Sequence, residues 1–260
     1  MTNRCVVATY YYKFFRQLFI KKRYFHEDII MWCGKNKAVT FSFDDGTTQD
    51  IKLIKLLDKY GMKATFNINS ALLGIKEKLN VNGREVDFNK VNPLELRNIY
   101  KNHEIAVHTL THADLIVADD DTVFWQVEKD RQSLANLTGT TVVGMAYPNG
   151  GVNNDDRVAK IIKERTGVRY ARTITSTYNF DLQTNLYRFN PTVSWTEDVM
   201  YNLIDDFIAI KSDKPQLLYI WGHSFEIDAK TVDIKKFEKA LEKLSQQEDI
   251  FFGLNSEVLL

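Results

Sequence analysis

Short apolar runs alternate with segments of helical periodicity from Lys37 to the end of the chain, and this alternation constrains the fold most. The first run, residues 38–43, is apolar on both faces. Residues 49–60 follow with apolar side chains at helical spacing and stop at Gly61, a residue type that commonly ends helices. Strands that are apolar on both faces belong in a parallel sheet covered by helices. The pattern therefore predicts an α/β fold.

The same pattern predicts about seven strands in one domain. They cover residues 38–43, 63–68, 104–108, 141–146, 168–173, 186–193 and 217–221, with a further short strand left open at 250–254. Helices are predicted at residues 49–60, 93–101, 122–137, 154–166, 196–211 and 233–245, and a long excursion at 70–91. Pro191 weakens the sixth strand. Seven repeated units favour a closed or nearly closed parallel barrel over an open, doubly wound sheet, and 260 residues suit one such domain.

The charge balance gives no support for a nucleic-acid partner, and the hydropathy gives none for a transmembrane segment. The chain has 34 basic and 34 acidic residues, a formal net charge of zero at pH 7, which gives no support for binding nucleic acid. No apolar run is long enough to span a bilayer, so no transmembrane segment is expected.

Residues 1–34 are predicted to be a basic and aromatic extension that precedes the main domain at 35–260. Lys13 and Arg16 interrupt its apolar stretch and no small-residue cleavage site follows, which makes it a poor secretory signal. A cytoplasmic location is the default expectation, with an extracellular or cell-surface location as the alternative. Cys5 and Cys33 are interpreted as free thiols, because two cysteines do not suggest a disulfide scaffold.

Polar residues directly follow most of the predicted strands. In parallel barrels, functional side chains gather at the carboxyl ends of the strands. The residues at those ends are Asp44 and Asp45, Asn67 and Asn69, His108 with His112, Tyr147 to Gly151, Arg172, and Trp221 to Glu226. Three of the five histidines of the chain therefore fall on one predicted rim.

Two adjacent carboxylates and a pair of histidines make this rim a candidate metal site. Asp44 and Asp45 need a compensating cation or proton, although an Asp-Asp-Gly run alone is also typical of a solvated turn. His108 and His112 are four residues apart, which places both imidazoles on one face of a helix or a strand. Two imidazoles and a carboxylate suit Zn²⁺ or a similar divalent ion. His223, on the same rim, is a candidate general acid, while a lone histidine after a buried strand is usually structural.

The order of these motifs resembles that of the polysaccharide deacetylases, the family-four carbohydrate esterases. The resemblance rests on FSFDDG at residues 41–46, HTLTH at 108–112, AYPNG at 146–150 and the strand before His223, and it covers residues 37–257. The run WGHSFE at 221–226 resembles a subgroup with a Trp-Gly-His-Ser ending. The fold that this family implies is a distorted (β/α) barrel, usually with seven strands.

The resemblance also implies roles for individual residues. It implies that Asp44 is the catalytic base and that Asp45, His108 and His112 bind one divalent metal. Zn²⁺ is the first expectation for this metal, with Co²⁺, Ni²⁺ and Mn²⁺ as alternatives. It further implies that His223 is the general acid.

Further residues are predicted to contact substrate or the transition state. The backbone N–H of Asn149 lies where the family has an oxyanion donor. Tyr147, Trp221, Asn67 and Glu226 are candidates for substrate binding, with core packing or ordinary strand-end hydrogen bonding as the plainer interpretation for the first three.

Two positions depart from the family pattern. The third motif normally opens with an arginine that holds the base, and here that position is Ala146. The Asp-x-x-Asp-Trp motif, whose aspartate supports the acid histidine, is not recognisable between residues 172 and 195. We hypothesise that Arg172 replaces the missing arginine, and that Glu226 or Asp228 orients His223.

The sequence thus predicts a metal-dependent hydrolase that removes N- or O-linked acetyl groups from a carbohydrate, so that an acetylated carbohydrate is the expected partner. Two alternatives stand beside this prediction. One is a non-catalytic, glycan-binding relative, motivated by the two departures from the pattern. The other is a metal-dependent hydrolase of a different amide or ester.

Overall fold

A computed structural model describes residues 31–260 of the chain. Most of the predicted extension at residues 1–34, with Cys5, lies outside the described residues, and the domain boundary stays a prediction. Cys33 is disulfide-bonded, so the expectation of a free thiol is wrong at that position. None of the helices within residues 31–260 combines the length and the hydropathy that crossing a bilayer requires.

Eight of the strands form one parallel sheet. They are β1 (Lys37–Asp44), β2 (Ala64–Ile68), β5 (Glu104–Val107), β6 (Gly144–Ala146), β7 (Tyr170–Arg172), β8 (Val193–Ser194), β9 (Gln216–His223) and β10 (Ile250–Phe252). Seven of them follow one path across the sheet, in the order β7-β6-β5-β2-β1-β9-β8. Strand β9 pairs with all of β1, and β10 and β2 pair with the two successive halves of β1. The central strand β1 is therefore the most completely paired, and it ends at Asp44.

The sheet curls into a half-barrel, because side chains on β7 and β1 meet across its interior. This architecture confirms the predicted distorted (β/α) barrel with about seven parallel strands in one domain. The helices that accompany the sheet are α1 (Asp50–Lys59), α2 (Leu96–Ile99), α3 (Asp120–Thr138), α4 (Asp156–Arg165), α5 (Val199–Ala209), α6 (Glu226–Ala229), α7 (Ile234–Ser245) and α8 (Asn255–Leu259).

Local sequence explains where the longer helices begin and end. The side chain of Asp233 accepts hydrogen bonds from the backbone N–H groups of Lys235 and Lys236 and so caps α7. Asp119 caps α3 in the same way, and Gly139, in the left-handed conformation, ends it. The helix predicted at residues 196–211 begins later, since α5 starts after Asp198 and has no side-chain cap.

Aromatic side chains fasten β1 to the covering helix α7. The ring of Phe43 lies 4.9 Å from that of Trp195, and Trp195 lies 5.2 Å from Phe237 at nearly right angles. Phe41 contacts the same Phe237 at 6.1 Å. These edge-to-face contacts between buried rings hold the strand that carries Asp44 rigidly in place.

The predicted sixth strand and the long excursion differ from the structure. Residues 186–193 contain a short 3₁₀ turn at Leu186–Arg188, and the strand is reduced to Val193–Ser194. Pro191 has no N–H for a strand ladder, which explains the interruption. The excursion contains an antiparallel hairpin of β3 (Lys78–Val81) and β4 (Arg84–Asp87). Its two-residue turn, Asn82 and Gly83 with φ of 51° and 82°, is a hairpin signal that the sequence carried.

Candidate metal centre and active site

The two adjacent aspartates diverge because the backbone changes conformation between them. Asp44 is the last residue of β1, whereas Asp45 has a φ of 81°, in the left-handed region that aspartate tolerates better than most residues. The N–H of Asp45 donates to the carbonyl of Asn67 at 2.9 Å, which fixes this turn against β2. The carboxylate of Asp44 therefore faces the barrel interior, and that of Asp45 faces the rim.

Asp44 is buried and is held by two donors. Arg172 donates to both of its carboxylate oxygens at 2.5 Å, and the side-chain amide of Asn67 donates to Oδ1 at 2.8 Å. Burial by itself would raise the pKa of Asp44, but the charge and hydrogen bond of Arg172 together with the nearby His108 and His223 outweigh it, and the net shift of the pKa is downward. Asp44 is thus a fixed, ionised carboxylate, and Asn67 is its partner.

Asp45 lies with two histidines in an arrangement that could hold a metal ion. One potential ligand atom from each of Asp45, His108 and His112 lies within 4.8 Å of the others. Oδ1 of Asp45 is 3.9 Å from Nε2 of His108 and 3.6 Å from Nε2 of His112. This buried oxygen has no hydrogen-bond partner within the described residues. An orphaned carboxylate oxygen that faces two imidazole nitrogens fits a divalent cation of the zinc type.

The hydrogen bond at Nδ1 of His108 leaves Nε2 available to bind a metal. Its Nδ1 lies 2.9 Å from the carbonyl oxygen of Ala146, which can only accept, so Nδ1 carries the proton and Nε2 keeps a lone pair. Burial lowers the pKa of His108 to about 4, against the opposing effect of the aspartates. The neutral tautomer with a free Nε2 is the form that binds a metal.

The loop from His108 to His112 stores backbone strain. Thr109 and His112 have φ of 63° and 58°, and a β-branched residue rarely adopts such a value. The side-chain amide of Asn69 donates to the carbonyls of His108 and Thr109, and the Thr109 hydroxyl accepts from the N–H of Ala113. These bonds hold the loop so that both histidines face Asp45.

Asp130, on α3, supports the same loop and was missed by sequence reasoning. Its buried carboxylate accepts from the N–H of Ser70 at 2.7 Å and from the N–H of His108 at 3.1 Å. Burial raises the pKa of Asp130 to about 7. No spacing in the sequence connects Asp130 to this loop, since the contact depends on the packing of α3 against β5.

His223 approaches the candidate metal cluster at Oδ2 of Asp45, whereas His108 and His112 lie near Oδ1. It ends β9, whose register pairs it directly with Asp44, and its Nε2 lies 3.9 Å from Oδ2 of Asp45. Its Nδ1 lies 3.3 Å from Glu226, whose carboxylate also accepts the backbone N–H of His223 at 2.8 Å. Burial would lower the pKa of His223, but Glu226 and the two aspartates raise it to about 9. His223 is therefore an imidazolium at neutral pH.

Glu226 is itself fixed by Trp195. The indole N–H of Trp195 donates to the carboxylate of Glu226. The Trp195 ring lies on Gly222, where any side chain would collide with it, since a Cβ would come within 2.1 Å of the ring. Asp228, the other hypothesised partner of His223, is exposed and lies 3.9 Å from Lys52 instead. The geometry thus makes Glu226 the partner of His223 rather than a group open to substrate.

The remaining predicted residues lie in different surroundings. Tyr147 is buried, and its hydroxyl donates to the carbonyl of Tyr187, so its side chain is not presented to the rim. Trp221 is half-buried, lies 4.6 Å from the guanidinium of Arg172, and leaves its indole N–H without a partner among the described residues. Asn149 lies in the exposed loop after β6 with a φ of 67°.

A cavity of about 250 Å³ opens beside the cluster. Its lining residues are Asp45, Leu72, Ile75, Glu77, Phe88, Lys90 and His112. Most of them come from the excursion that follows β2, which sequence reasoning did not connect to the site. Lys90 approaches Asp45 from this side, with its Nζ 3.6 Å from Oδ1.

Known structures share this fold at low sequence identity. A CE4-family pseudoenzyme from Bacillus anthracis is 18% identical with a TM-score of 0.55, and the match covers 86% of this chain and 66% of that protein. The Xyl-CE4 domain of a xylanase from the hindgut metagenome of Trinervitermes trinervoides is 18% identical with a TM-score of 0.53, covering 86% and 89%. A family 4 carbohydrate esterase from Streptomyces lividans, in complex with acetate, is 16% identical with a TM-score of 0.53, covering 86% and 95%.

At these identities the structural similarity establishes the fold alone. A comparison with curated protein sequences gave no match. The profile of the polysaccharide deacetylase family, in contrast, matches residues 33–171, which is more than half of the 260 residues. The chain carries the fold and the ordered motifs of the polysaccharide deacetylases, and it belongs to that family.

Proposed function

We propose that this protein is a metal-dependent hydrolase that removes acetyl groups, N- or O-linked, from a carbohydrate. The observation that carries the proposal is the division between the two adjacent aspartates. Asp44 is bound by Arg172 and Asn67, away from the histidines, whereas Asp45 faces His108 and His112 with an unpartnered oxygen. A turn with no function would not need both arrangements.

In this proposal Asp45, His108 and His112 hold one divalent ion. The mixed carboxylate and imidazole donors favour Zn²⁺, and Co²⁺, Ni²⁺ and Mn²⁺ are the alternatives. Bound there, such an ion supplies Lewis acidity that polarises an acetyl carbonyl and acidifies water.

Asp44 acts as the general base. Because Arg172 keeps it ionised and fixed, its carboxylate can accept the proton of the attacking water. Asp44 and His223 are paired in register at the ends of neighbouring strands, a proximity that supports their roles as base and acid.

His223 acts as the general acid. It is protonated at neutral pH, and Glu226 holds its Nδ1, so Nε2 is the nitrogen that can deliver a proton to the leaving amine or alcohol oxygen. Glu226 and Trp195 act through His223 as positioning residues.

The acetylated carbohydrate would approach through the cavity beside Asp45 and His112. Trp221, half-buried next to His223, is the best placed of the predicted substrate-binding residues, and its buried indole N–H has no partner among residues 31–260. The backbone N–H of Asn149 is proposed to stabilise the oxyanion, an interaction whose loss typically costs a hundredfold or more in rate.

A non-catalytic, glycan-binding role is the second candidate, because one protein of similar fold is a pseudoenzyme. Against it stands the complete set of three histidines and two aspartates, since a binding module has no use for an ionised base held by arginine. Hydrolysis of a different amide or ester is the third candidate, and it would use the same site.

The deciding experiment measures acetate release from a panel of N- and O-acetylated oligosaccharides together with metal content. Asp44→Asn is expected to abolish acetate release while the protein still binds metal, and Asp45→Asn to lose both. If the wild-type protein binds metal but releases no acetate from any member of the panel, the deacetylase proposal fails.

A further inference from the structure

Lys90 is a buried cation that points at the proposed metal site. Its side chain is 4% exposed. Its Nζ donates to the backbone carbonyl of Asp45 at 2.9 Å and lies 3.6 Å from Oδ1 of the same residue. It also lies 4.0 Å from the centre of the Phe88 ring, a cation–π contact that keeps the ammonium in this place.

The backbone around Lys90 gives this position a rigid base. Its N–H donates to the carbonyl of Ile75, and the residue forms an isolated bridge with Thr47. The next residue, Val91, donates its N–H to the carbonyl of Gly46, directly after Asp45. The segment that returns from the β3–β4 hairpin is thus tied to the aspartate turn, so the Lys90 side chain starts from a fixed backbone position.

The charge of Lys90 compensates the buried carboxylate of Asp45. A buried carboxylate is costly unless a cation or hydrogen-bond donors compensate it. Oδ1 of Asp45 has no hydrogen-bond donor within the described residues. Among the described residues, Lys90 is the one lysine or arginine whose side-chain nitrogen lies within 4 Å of the Asp45 carboxylate, and it approaches the same oxygen, Oδ1, as His108 and His112.

We propose that Lys90 is a resident cation of the metal site: its ammonium neutralises Asp45 when no metal is bound and repels a divalent ion when one binds. This inference rests on the metal site of the proposed function. A positive charge about 4 Å from a ligand oxygen lies close enough to an ion on that oxygen for the repulsion to matter inside a protein. Lys90 therefore sets the affinity for metal low enough for the ion to exchange, and keeps the metal-free protein folded.

Removal of the charge should have two opposite effects. The metal-free protein should lose thermal stability, because the buried carboxylate of Asp45 would have one cation fewer beside it. The affinity for the divalent ion should rise by on the order of tenfold or more, because one unit of repulsion is removed. A residue that only supports the aspartate turn would weaken metal binding instead, so the sign of the change distinguishes the two roles.

The test is a calorimetric titration of metal-free protein with Zn²⁺, combined with melting curves with and without the ion. Lys90→Gln removes the charge and keeps a donor for the carbonyl of Asp45, and Lys90→Met removes both. Lys76→Met, at an exposed lysine in the same excursion, is the matched control and should behave as wild type. The expected result for Lys90→Gln is a lower dissociation constant, a lower melting temperature without Zn²⁺ and a larger increase on adding it.

Three outcomes decide whether Lys90 has this role. If Lys90→Met folds only when Zn²⁺ is present, the ion has replaced the missing ammonium, which supports it. If Lys90→Gln binds Zn²⁺ with unchanged or weaker affinity than wild type, the inference is overturned while the proposed metal site stands. If the wild-type protein binds no Zn²⁺, the proposed metal site fails and the inference with it.

Discussion

Arg172 donates to both carboxylate oxygens of Asp44, although 128 residues separate the two in sequence. They lie on β7 and β1, with β6, β5 and β2 between them. In a flat sheet this would separate their strands by about 19 Å, so the contact exists because the sheet curls. Arg172 is paired in register with Ala146, the position at which the resemblance to the family leads one to expect an arginine. Its guanidinium therefore reaches Asp44 from the neighbouring strand, at the same level of the barrel.

Arg172→Met should reduce both stability and activity. It leaves Asp44 buried without its cation, and loss of one partner of a buried ion pair typically costs about 3–5 kcal/mol. The rate of acetate release should fall at least about a hundredfold, because the base is no longer fixed. Urea unfolding and steady-state kinetics measure the two effects.

The double variant Arg172→Met, Asp44→Asn separates the causes. It should recover much of the lost stability, since no uncompensated charge remains, and stay inactive. Arg188→Met, which removes a more exposed arginine paired with Asp156, should change neither quantity appreciably. Wild-type activity in Arg172→Met would contradict the assignment of Asp44 as a base that depends on Arg172.

Glu226→Gln should shift the pH dependence of the reaction. Glu226 is the leading cause that raises the pKa of His223, to about 9, against the lowering effect of burial. The general acid must be protonated, so activity is retained below the pKa of His223 and lost as the pH rises through it. Without Glu226 that pKa falls, and the alkaline limb of the profile of kcat/KM against pH should move to lower pH by about one unit or more.

Asp228→Asn is the matched control for this shift. Asp228 lies on the same short helix, two residues further on, but it is exposed and faces Lys52. Its profile should coincide with that of wild type. An unchanged alkaline limb in Glu226→Gln would show that Glu226 does not set the protonation of His223.

Local pattern was sufficient to predict most strands of the sheet and the rim on which Asp44, Asp45, His108, His112 and His223 meet. Four of these residues end or directly follow a strand, and His112 lies in the loop beyond β5, four residues after His108. Parallel strands bring their carboxyl ends to one rim. Such predictions need only the position of a residue along its own strand, which hydrophobic pattern indicates well.

The supporting contacts could not be predicted in the same way. Lys90 and Asp130 reach the site from an excursion and a helix whose packing has no periodic signal. The choice between Glu226 and Asp228 depended on the turn after His223, and Trp195 reaches Glu226 only because Gly222 lacks a side chain. The domain boundary near residue 34 and the cellular location stay predictions.

Gly222→Ala should destabilise the protein and loosen the acid. The added Cβ would lie 2.1 Å from the Trp195 ring, and Trp195 is fully packed against Phe43 and Phe237, so it cannot move aside freely. Overpacking of this kind typically costs about 1–3 kcal/mol. The displaced indole would also release Glu226, so acetate release should fall with stability.

Gly150→Ala provides the comparison for melting temperature. Gly150 lies in an exposed loop where a Cβ would meet nothing within 4 Å, and its φ is not in the left-handed region. Its melting temperature should match that of wild type. Equal melting temperatures for Gly222→Ala and wild type would show that Trp195 has more freedom than its contacts indicate.

Asp50→Asn should change how the stability of the metal-free protein depends on pH. Asp50 begins α1, is fully buried, and accepts a hydrogen bond of 2.6 Å from Tyr100. Burial raises its pKa from 3.8 to about 7, despite the hydrogen bonds of Ser224 and Tyr100. Because the folded protein prefers the protonated form, this preference stabilises the fold fully below pH 4 and is lost as the pH rises to 7. Between pH 5 and pH 8, wild type should lose about 3 kcal/mol that the asparagine variant keeps. Urea unfolding at the two pH values, in the presence of a chelator, measures the difference, and Asp213→Asn at an exposed site should follow wild type.

A stability difference between Asp50→Asn and wild type that is the same at both pH values would mean that Asp50 is already ionised in the folded protein at pH 5.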